Sequence, residues 1–230
     1  MFDGIAESYD RLNHLLSFGI DRLWRRKTSK LISLQHPSSI LDVATGTADL
    51  ALRLAHDNKE AFVTGVDLSE KMLSIGKQKI NDKGLSHRIR LETADATTLP
   101  FGDNSFDAVT VAFGVRNFSD REAGLREMVR VCRHGGMVTV LEFSHPNNML
   151  VKSVYGWYSR RWIPSVGKSV SKHPSAYSYL PSSVEVFPSN EAFVTMLSKA
   201  GLDDIQTEAF SGGIATLYYG YASKNEEASQ

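Results

Sequence analysis

The sequence predicts an α/β fold that is doubly wound around a mostly parallel sheet. Short apolar runs alternate with segments of helical periodicity, which is the rhythm of repeated βαβ units. Five such runs are predicted as strands: residues 39–44, 61–66, 89–93, 106–113 and 137–143. At 230 residues, the chain is long enough for one domain to bury its own core. We therefore expect a single domain with helices on both faces of the sheet.

Helical segments flank the predicted strands. Residues 2–33 carry apolar side chains at helical spacing with one interruption, which predicts two helices. Before the fifth strand, Ser119 and Glu122 predict a capping box at the start of a helix, and Gly135 with Gly136 predicts its end.

The last part of the chain predicts one more helix and a hairpin. A helical stripe spans residues 189–200. The turn signal Ser211-Gly212-Gly213 joins two strand-like runs, residues 204–210 and 215–222. These final strands are expected to be antiparallel in part.

Composition and charge argue against several classes of function. With 26 basic and 26 acidic residues, no net field draws the chain to nucleic acid, and no such partner is expected. The single cysteine, Cys132, cannot form an internal disulfide, and the seven histidines lack metal-ligand spacing, so no metal is expected. The first ten residues lack a signal-peptide pattern, and no run of ~18 apolar residues predicts a membrane span. These features favour a cytoplasmic protein.

A candidate ligand site lies where the first strand meets the following helix. Small residues in Thr45-Gly46-Thr47-Ala48-Asp49 allow a ligand to approach the backbone, and the helix N-terminus offers N–H groups. The second strand is followed by Asp67, and a carboxylate there commonly accepts hydrogen bonds from both hydroxyls of a ribose. The pattern predicts a nucleoside cofactor.

Two cofactors fit this pattern, NAD and S-adenosylmethionine. The turn lacks GxGxxG spacing and places Asp49 where a pyrophosphate would bring negative charge. S-Adenosylmethionine has no phosphate, and its ammonium and sulfonium tolerate a nearby acid. Near the third strand, Asp95 is a candidate acceptor for the adenine amine, Ala96 keeps the pocket flat, and Met72 is expected on the adenine face. Charge favours S-adenosylmethionine, with an NAD-linked oxidoreductase as the alternative.

Longer stretches of the chain resemble the C-methyltransferases of menaquinone and ubiquinone biosynthesis. The matching stretches run almost from end to end: IAESYDRLNHLLSFGIDRLWRR, LDVATGTADLA, GVDLSEKML, ADATTLPFGDNSFDAVTVAFGVRNF, LREMVRVCRHGGMVTVLEFSHP and GGIATLYYGY. FGVRNF is far more specific than the general methyltransferase turn. The resemblance implies a Rossmann-like, seven-stranded fold with an antiparallel C-terminal strand. It also implies methylation of a ring carbon in a reduced polyprenyl quinol, without a metal.

The resemblance further implies contacts to the methyl donor. The family's donor contacts match Thr47 in the first turn, Asp67 at the ribose and Asp95 with Ala96 at the adenine, while Ala112 stands where relatives often have Ser. The single domain then divides into a helical lid (1–33), a donor-binding core (34–143), a substrate-side insertion (144–188), a helix with a hairpin (189–223) and a tail (224–230).

The candidate catalytic residues follow the fourth strand. Arg116 and Asn117 are expected to face the quinol ring, where Arg116 stabilises the developing phenolate and Asn117 orients the hydroxyl. The alternative is that Arg116 pairs with an acid and closes the loop. Tyr9 and Asn13 in the predicted lid are further candidate contacts.

The acceptor and the cellular site leave alternatives open. The resemblance favours demethylmenaquinol over a methoxylated benzoquinol, and another small acceptor or a non-catalytic donor-binding scaffold are the other interpretations. Aromatic and basic residues across residues 152–162 predict either peripheral contact with the inner face of the membrane or simple packing on the sheet. The oligomeric state is open, with a homodimer as one possibility.

Overall fold

The computed structural model describes residue 17 and residues 19–144, 183–184 and 186–223. Within these residues the helices are α1 (Asp21–Ser33), α2 (Asp49–Asp57), α3 (Glu70–Asp82), α4 (Arg121–Val131) and α5 (Asn190–Lys199). The strands are β1 (Ser39–Val43), β2 (Phe62–Asp67), β3 (Ile89–Thr93), β4 (Phe106–Ala112), β5 (Cys132–Phe143), β6 (Leu202–Phe210) and β7 (Ala215–Ala222). One turn of 3₁₀ helix, Val115–Asn117, follows β4.

The seven strands form one sheet in the order β3-β2-β1-β4-β5-β7-β6. Strands β1 to β5 are parallel, whereas β7 is antiparallel to both β5 and β6. The chain builds outward from β1 in one direction and then from β4 in the other, so the strand order reverses between them. The predicted doubly wound, mostly parallel sheet with an antiparallel C-terminal strand is confirmed.

Side-chain alternation along the central strands separates two hydrophobic cores. In β1, Ile40 belongs to one core, while Leu41 and Val43 belong to the other, because successive side chains point to opposite faces. The first core is completed from α1, α2 and α3 by Ile32, Leu50, Leu54, Leu73 and Ile80. The second is completed from α4 and α5 by Leu125, Met128, Phe193 and Leu197. Both faces are therefore covered, as a parallel sheet requires.

Helix α4 begins one residue later than the sequence predicts. The N-cap is Asp120 rather than Ser119, because Asp120 has an extended backbone and its carboxylate accepts a hydrogen bond from the N–H of Ala123 at 3.0 Å. Aspartate is as good a cap as serine, so two adjacent candidates made the sequence signal ambiguous by one position. The predicted capping box of Ser119 and Glu122 is therefore wrong.

The same helix ends earlier than predicted. It stops at Val131, and Cys132 is already extended and pairs with Phe106 of β4. Gly135 and Gly136 therefore do not end the helix but lie inside β5. Gly135 has a φ of 70°, and the register between β4 and β5 shifts nearby. The glycines allow this irregular start of the strand.

Helix α1 is anchored to the sheet by Trp24. The indole ring packs against Phe113, just after β4, and against Phe143, at the end of β5, with ring-centroid distances of 6.1 and 6.2 Å. Its Nε1–H donates a hydrogen bond to the hydroxyl of Ser211 in the β6–β7 turn at 3.2 Å. Aromatic contacts and a paired indole N–H are typical of a fixed interface. Helix α1 is thus a wall beside the carboxyl ends of β4 and β5.

Parts of the predicted segments lie outside the described residues. These parts include Tyr9 and Asn13 of the predicted lid, residues 145–182 of the predicted insertion and the tail at residues 224–230.

Candidate active site

A cleft of about 240 Å³ opens at the carboxyl ends of β1, β2, β3 and β4. Its walls are the loops that follow these strands. The residues predicted from the sequence that line it are Gly46, Asp67, Met72, Asp95, Ala96, Ala112 and Asn117. An open α/β sheet forms its ligand crevice where the strand order reverses, which here lies between β1 and β4.

The turn after β1 is compact because three residues have left-handed backbone conformations. Ala44, Gly46 and Ala48 have φ angles of 52°, 57° and 66°. The loop after β4 packs on this turn so closely that a Cβ on Gly114 would lie 2.5 Å from the Cβ of Ala44. Small residues are required where the two loops meet, because a larger side chain would separate them.

The carboxylate of Asp67 holds the ends of β1 and β2 together. Its Oδ2 accepts a hydrogen bond from the N–H of Gly46 at 2.9 Å, and its Oδ1 accepts one from the N–H of Ser69 at 2.9 Å. Each carboxylate oxygen carries two lone pairs, so these bonds orient the group and are compatible with additional bonds from ribose hydroxyls.

The far end of the cleft is built by residues after β2 and β3. Asp95 is oriented by its own loop, since its Oδ1 accepts bonds from the N–H and the hydroxyl of Thr97, both at 2.8 Å. Met72 is 2% exposed in the first turn of α3, where Ser69 caps its N–H. Leu68, which the sequence analysis did not name, lines the cleft and is 67% exposed. The sequence signal that could have identified Leu68 was an apolar residue directly after Asp67.

Thr47 lies beside the cleft rather than in its lining. Its hydroxyl accepts a hydrogen bond from Lys79 of α3 at 3.0 Å, and the same ammonium donates to Asp49 at 2.8 Å. Thr47 lines a smaller cavity behind the first turn, together with Gly46 and Ala112. The structure therefore places the predicted donor residues around two adjoining spaces.

Arg116 and Asn117 occupy different environments within one 3₁₀ turn. Asn117 lines the cleft. The guanidinium of Arg116 is buried against Glu142 of β5, with Nη1 2.6 Å from Oε1 and also donating to the carbonyl oxygen of Phe113 at 2.6 Å. In this conformation Arg116 faces an acid, which was the alternative interpretation of this residue. Its catalytic role at the ring stays a prediction.

Two buried acids were missed by sequence analysis. Asp42 lies in β1, where burial raises the pKa of its carboxyl to about 7 although the hydroxyl of Thr45 donates to it at 2.6 Å. Glu142 is fully buried in β5 and also accepts the N–H of Phe143 at 2.9 Å. The available signal was a single acid inside an apolar strand, which is rare unless the acid is paired or functional.

The charge of the cleft is negative. Among its described lining residues there are two carboxylates, Asp67 and Asp95, and no lysine, arginine or histidine. In the described part of the chain, no group of three or more His, Cys, Asp or Glu residues is placed to hold a metal ion. No helix of those same residues has the length and hydropathy needed to cross a membrane.

Solved structures with this architecture identify the fold. The chain is similar to a putative S-adenosyl-L-methionine-dependent methyltransferase from Methanococcus maripaludis, with a TM-score of 0.66 over 96% of this chain and 94% of the other. The two sequences are 18% identical, so the likeness concerns the fold. The fold is that of the S-adenosylmethionine-dependent methyltransferases.

The sequence itself identifies the family. The model of the ubiE/COQ5 methyltransferase family matches residues 1–222, and the chain belongs to this family. It is 45% identical to the demethylmenaquinone methyltransferase of Bacteroides fragilis, covering 95% of this chain and 89% of the relative. It is 46% identical to the ubiquinone/menaquinone biosynthesis C-methyltransferase UbiE of Geotalea daltonii, covering 96% and 94%.

Loss of one member of the buried pair is expected to destabilise the protein strongly. Arg116→Met or Glu142→Leu alone leaves one charge buried without its partner and should lower the free energy of unfolding by about 3 kcal/mol or more. The double variant should lose less than the sum of the two single losses, because neither charge remains. Urea denaturation measures all three values. Additive losses would show that the two side chains are not coupled.

The raised pKa of Asp42 makes stability depend on pH in a defined direction. Between the ordinary pKa of 3.8 and about 7, the folded protein holds a proton that the unfolded chain releases, so this group's contribution to stability falls as pH rises. Asp42→Asn cannot ionise. Its stability relative to the wild type should therefore increase from pH 4 to 7, by up to about 1.4 kcal/mol per pH unit, and be constant above pH 8.

A matched control for this measurement is Asp107→Asn. Burial acts to raise the pKa of Asp107, but hydrogen bonds from the N–H groups of Ser38 and Ser39 hold this pKa below its ordinary value. Its effect on stability should therefore be nearly constant from pH 4 to 7. A constant difference for Asp42→Asn over the same range, measured by thermal unfolding, would contradict the prediction.

Proposed function

We propose that the protein transfers a methyl group from S-adenosylmethionine to a ring carbon of a polyprenyl quinol, with demethylmenaquinol as the acceptor. The observation that carries the donor assignment is the charge of the cleft, where two carboxylates and no cationic side chain occur among the described lining residues. Such a cleft suits an adenosyl group with a sulfonium and disfavours the pyrophosphate of NAD. The demethylmenaquinone methyltransferase of Bacteroides fragilis supports demethylmenaquinol as the acceptor, and the UbiE of Geotalea daltonii supports a quinone of either kind.

Two groups of residues fit the donor, one at its adenosyl part and one at its amino-acid end. Asp67 would accept from the ribose hydroxyls, Asp95 and Ala96 would hold the adenine, and Met72 would pack on its face. Gly46, Thr47 and Ala112 would contact the amino-acid end, because they line the two adjoining cavities at the first turn. When bound, the donor supplies an electrophilic methyl group on a sulfonium.

The acceptor side of the cleft is aromatic and holds one amide. Phe113 and Phe118 line it together with Asn117, and aromatic walls suit a planar quinol ring. Asn117 would accept a hydrogen bond from the quinol hydroxyl and so orient it for loss of its proton. Arg116, held by Glu142 beneath this loop, would add positive charge near the developing phenolate.

An anaerobic assay tests this proposal. Purified protein is given S-adenosylmethionine with reduced short-chain demethylmenaquinol or its methoxylated benzoquinol counterpart, and mass spectrometry counts added methyl groups. We expect one methyl on the naphthoquinol. Methylation of the benzoquinol alone would assign the protein to ubiquinone synthesis. Donor binding without transfer to either acceptor would favour another acceptor or a donor-binding scaffold.

We further propose that the protein meets its acceptor at the inner, anionic face of the cytoplasmic membrane, because a polyprenyl tail partitions into the bilayer. The membrane-facing segment predicted from the sequence, residues 152–162, lies outside the described residues. Within them, a groove between α1 and α2 is lined by Arg22, Leu23, Arg26 and Lys83, and Leu23 is 50% exposed. Cations around an exposed apolar side chain are typical of a bilayer-contacting surface.

Vesicle cosedimentation tests the membrane contact. The wild type should bind vesicles containing anionic lipid more than neutral ones, and Arg22→Glu/Arg26→Glu should reduce that binding at least several-fold. Arg126→Glu/Lys199→Glu is the matched control, since it changes charge equally on α4 and α5, on the opposite face of the sheet. Equal loss in both double variants would show a general charge effect, and no loss in either would exclude this groove as the contact.

A further inference from the structure

The smaller cavity behind the first turn is a distinct compartment of the site. It shares Ala44, Gly46 and Ala112 with the main cleft, so only small side chains separate the two spaces. Its volume is about 30 Å³. A water needs roughly 10–15 Å³ by the same measure, so the space accommodates about two oxygen-sized groups.

Arg25 is the cation of this compartment. Among the described residues that line either cavity, it is the one arginine or lysine. The acids of the smaller cavity are Asp42 and Asp49, and Asp49 already pairs with Lys79 at 2.8 Å. Burial raises the pKa of Asp42 to about 7, which reduces the negative charge around the cavity near neutral pH. An anionic group would therefore meet a cation there, in spite of the two acids.

The guanidinium of Arg25 is held in place by two contacts and by the anchoring of its helix. Its Nη1 forms an ion pair with Asp21, which also accepts a hydrogen bond from the hydroxyl of Ser17 at 2.6 Å. The group lies 5.1 Å above the ring of Phe113, close enough for a cation–π contact. Helix α1 itself is anchored by the neighbouring Trp24. Arg25 is 9% exposed, so its side chain loses little additional conformational entropy when a ligand binds.

A guanidinium has five N–H donors in a planar fork, and a carboxylate fits one edge of that fork. Asp21 engages one terminal nitrogen. A second carboxylate that approaches from the turn after β1 would meet the remaining N–H donors of the fork. The donor proposed above has a carboxylate at its amino-acid end, and that end belongs beside Gly46 and Thr47.

We propose that Arg25 binds the carboxylate of the donor's amino-acid end and thereby selects complete adenosyl amino acids over truncated ones. The inference rests on the proposed donor site and not on the identity of the quinol. It makes α1 part of the donor site, because a residue outside the strand loops supplies the charge that the cleft lacks.

The test compares two ligands that differ only in this carboxylate. Isothermal titration calorimetry measures the affinity of S-adenosylhomocysteine and of its decarboxylated analogue, which keeps the amine. The wild type should bind the complete ligand at least 10-fold more tightly, as expected for a charge-assisted hydrogen bond. Arg25→Gln should bring the two affinities within about twofold of each other, because it weakens only the binding of the complete ligand.

Two further variants keep the result interpretable. Asp21→Asn/Arg25→Gln removes both partners of the ion pair, so loss of ligand preference cannot be attributed to a carboxylate left buried without its partner. Arg22→Gln, an exposed residue of the same helix, should retain the full preference. Retention of the preference in both Arg25 variants would overturn the proposal, as would equal binding of both ligands by the wild type. Because no quinol is present, failure of the methylation assay leaves this test unaffected.

Discussion

The parallel pairing of β1 between β2 and β4 is the constraint on which the site depends. Parallel strands bring their carboxyl ends to one edge, so the loops after these strands are neighbours although they are far apart in the chain. Asp67 then ties the turn after β1 to the end of β2, and Gly114 lets the loop after β4 approach Ala44. The cleft is the space that these contacts leave.

Buried charge is the second feature that the fold has to accommodate. Asp42 and Glu142 are buried inside strands of the sheet, and removing a charge from water is unfavourable unless partners replace the lost solvation. Thr45 and Arg116 provide those partners. A core selected for stability alone would have apolar residues at both positions. Asp42 lies one residue before the end of β1, and Glu142 pairs with Arg116 in the loop after β4, so both acids lie next to the loops that form the cleft.

Helix α1 connects the two sides of the site. Within one turn, Trp24 contacts the rings after β4 and at the end of β5, while Arg25 lines the smaller cavity behind the turn after β1. A displacement of α1 would therefore disturb the loop after β4 and the turn after β1 together. This arrangement explains why the segment before the first strand carries aromatic and basic residues as well as the apolar residues of an ordinary packing helix.

Sequence alone determined the type and order of the described strands and longer helices, and seven of the residues that line the cleft. Periodicity reports which face of an element is apolar, so the strands at residues 89–93 and 215–222 were predicted with their observed bounds. Asp67 and Asp95 were found because parallel strands must end at one edge. The direction of Arg116 was decided only by tertiary structure, because its partner Glu142 lies 26 residues away on another strand. Arg25 likewise reaches the turn after β1 only because α1 packs beside it, and no local pattern in the sequence encodes that packing.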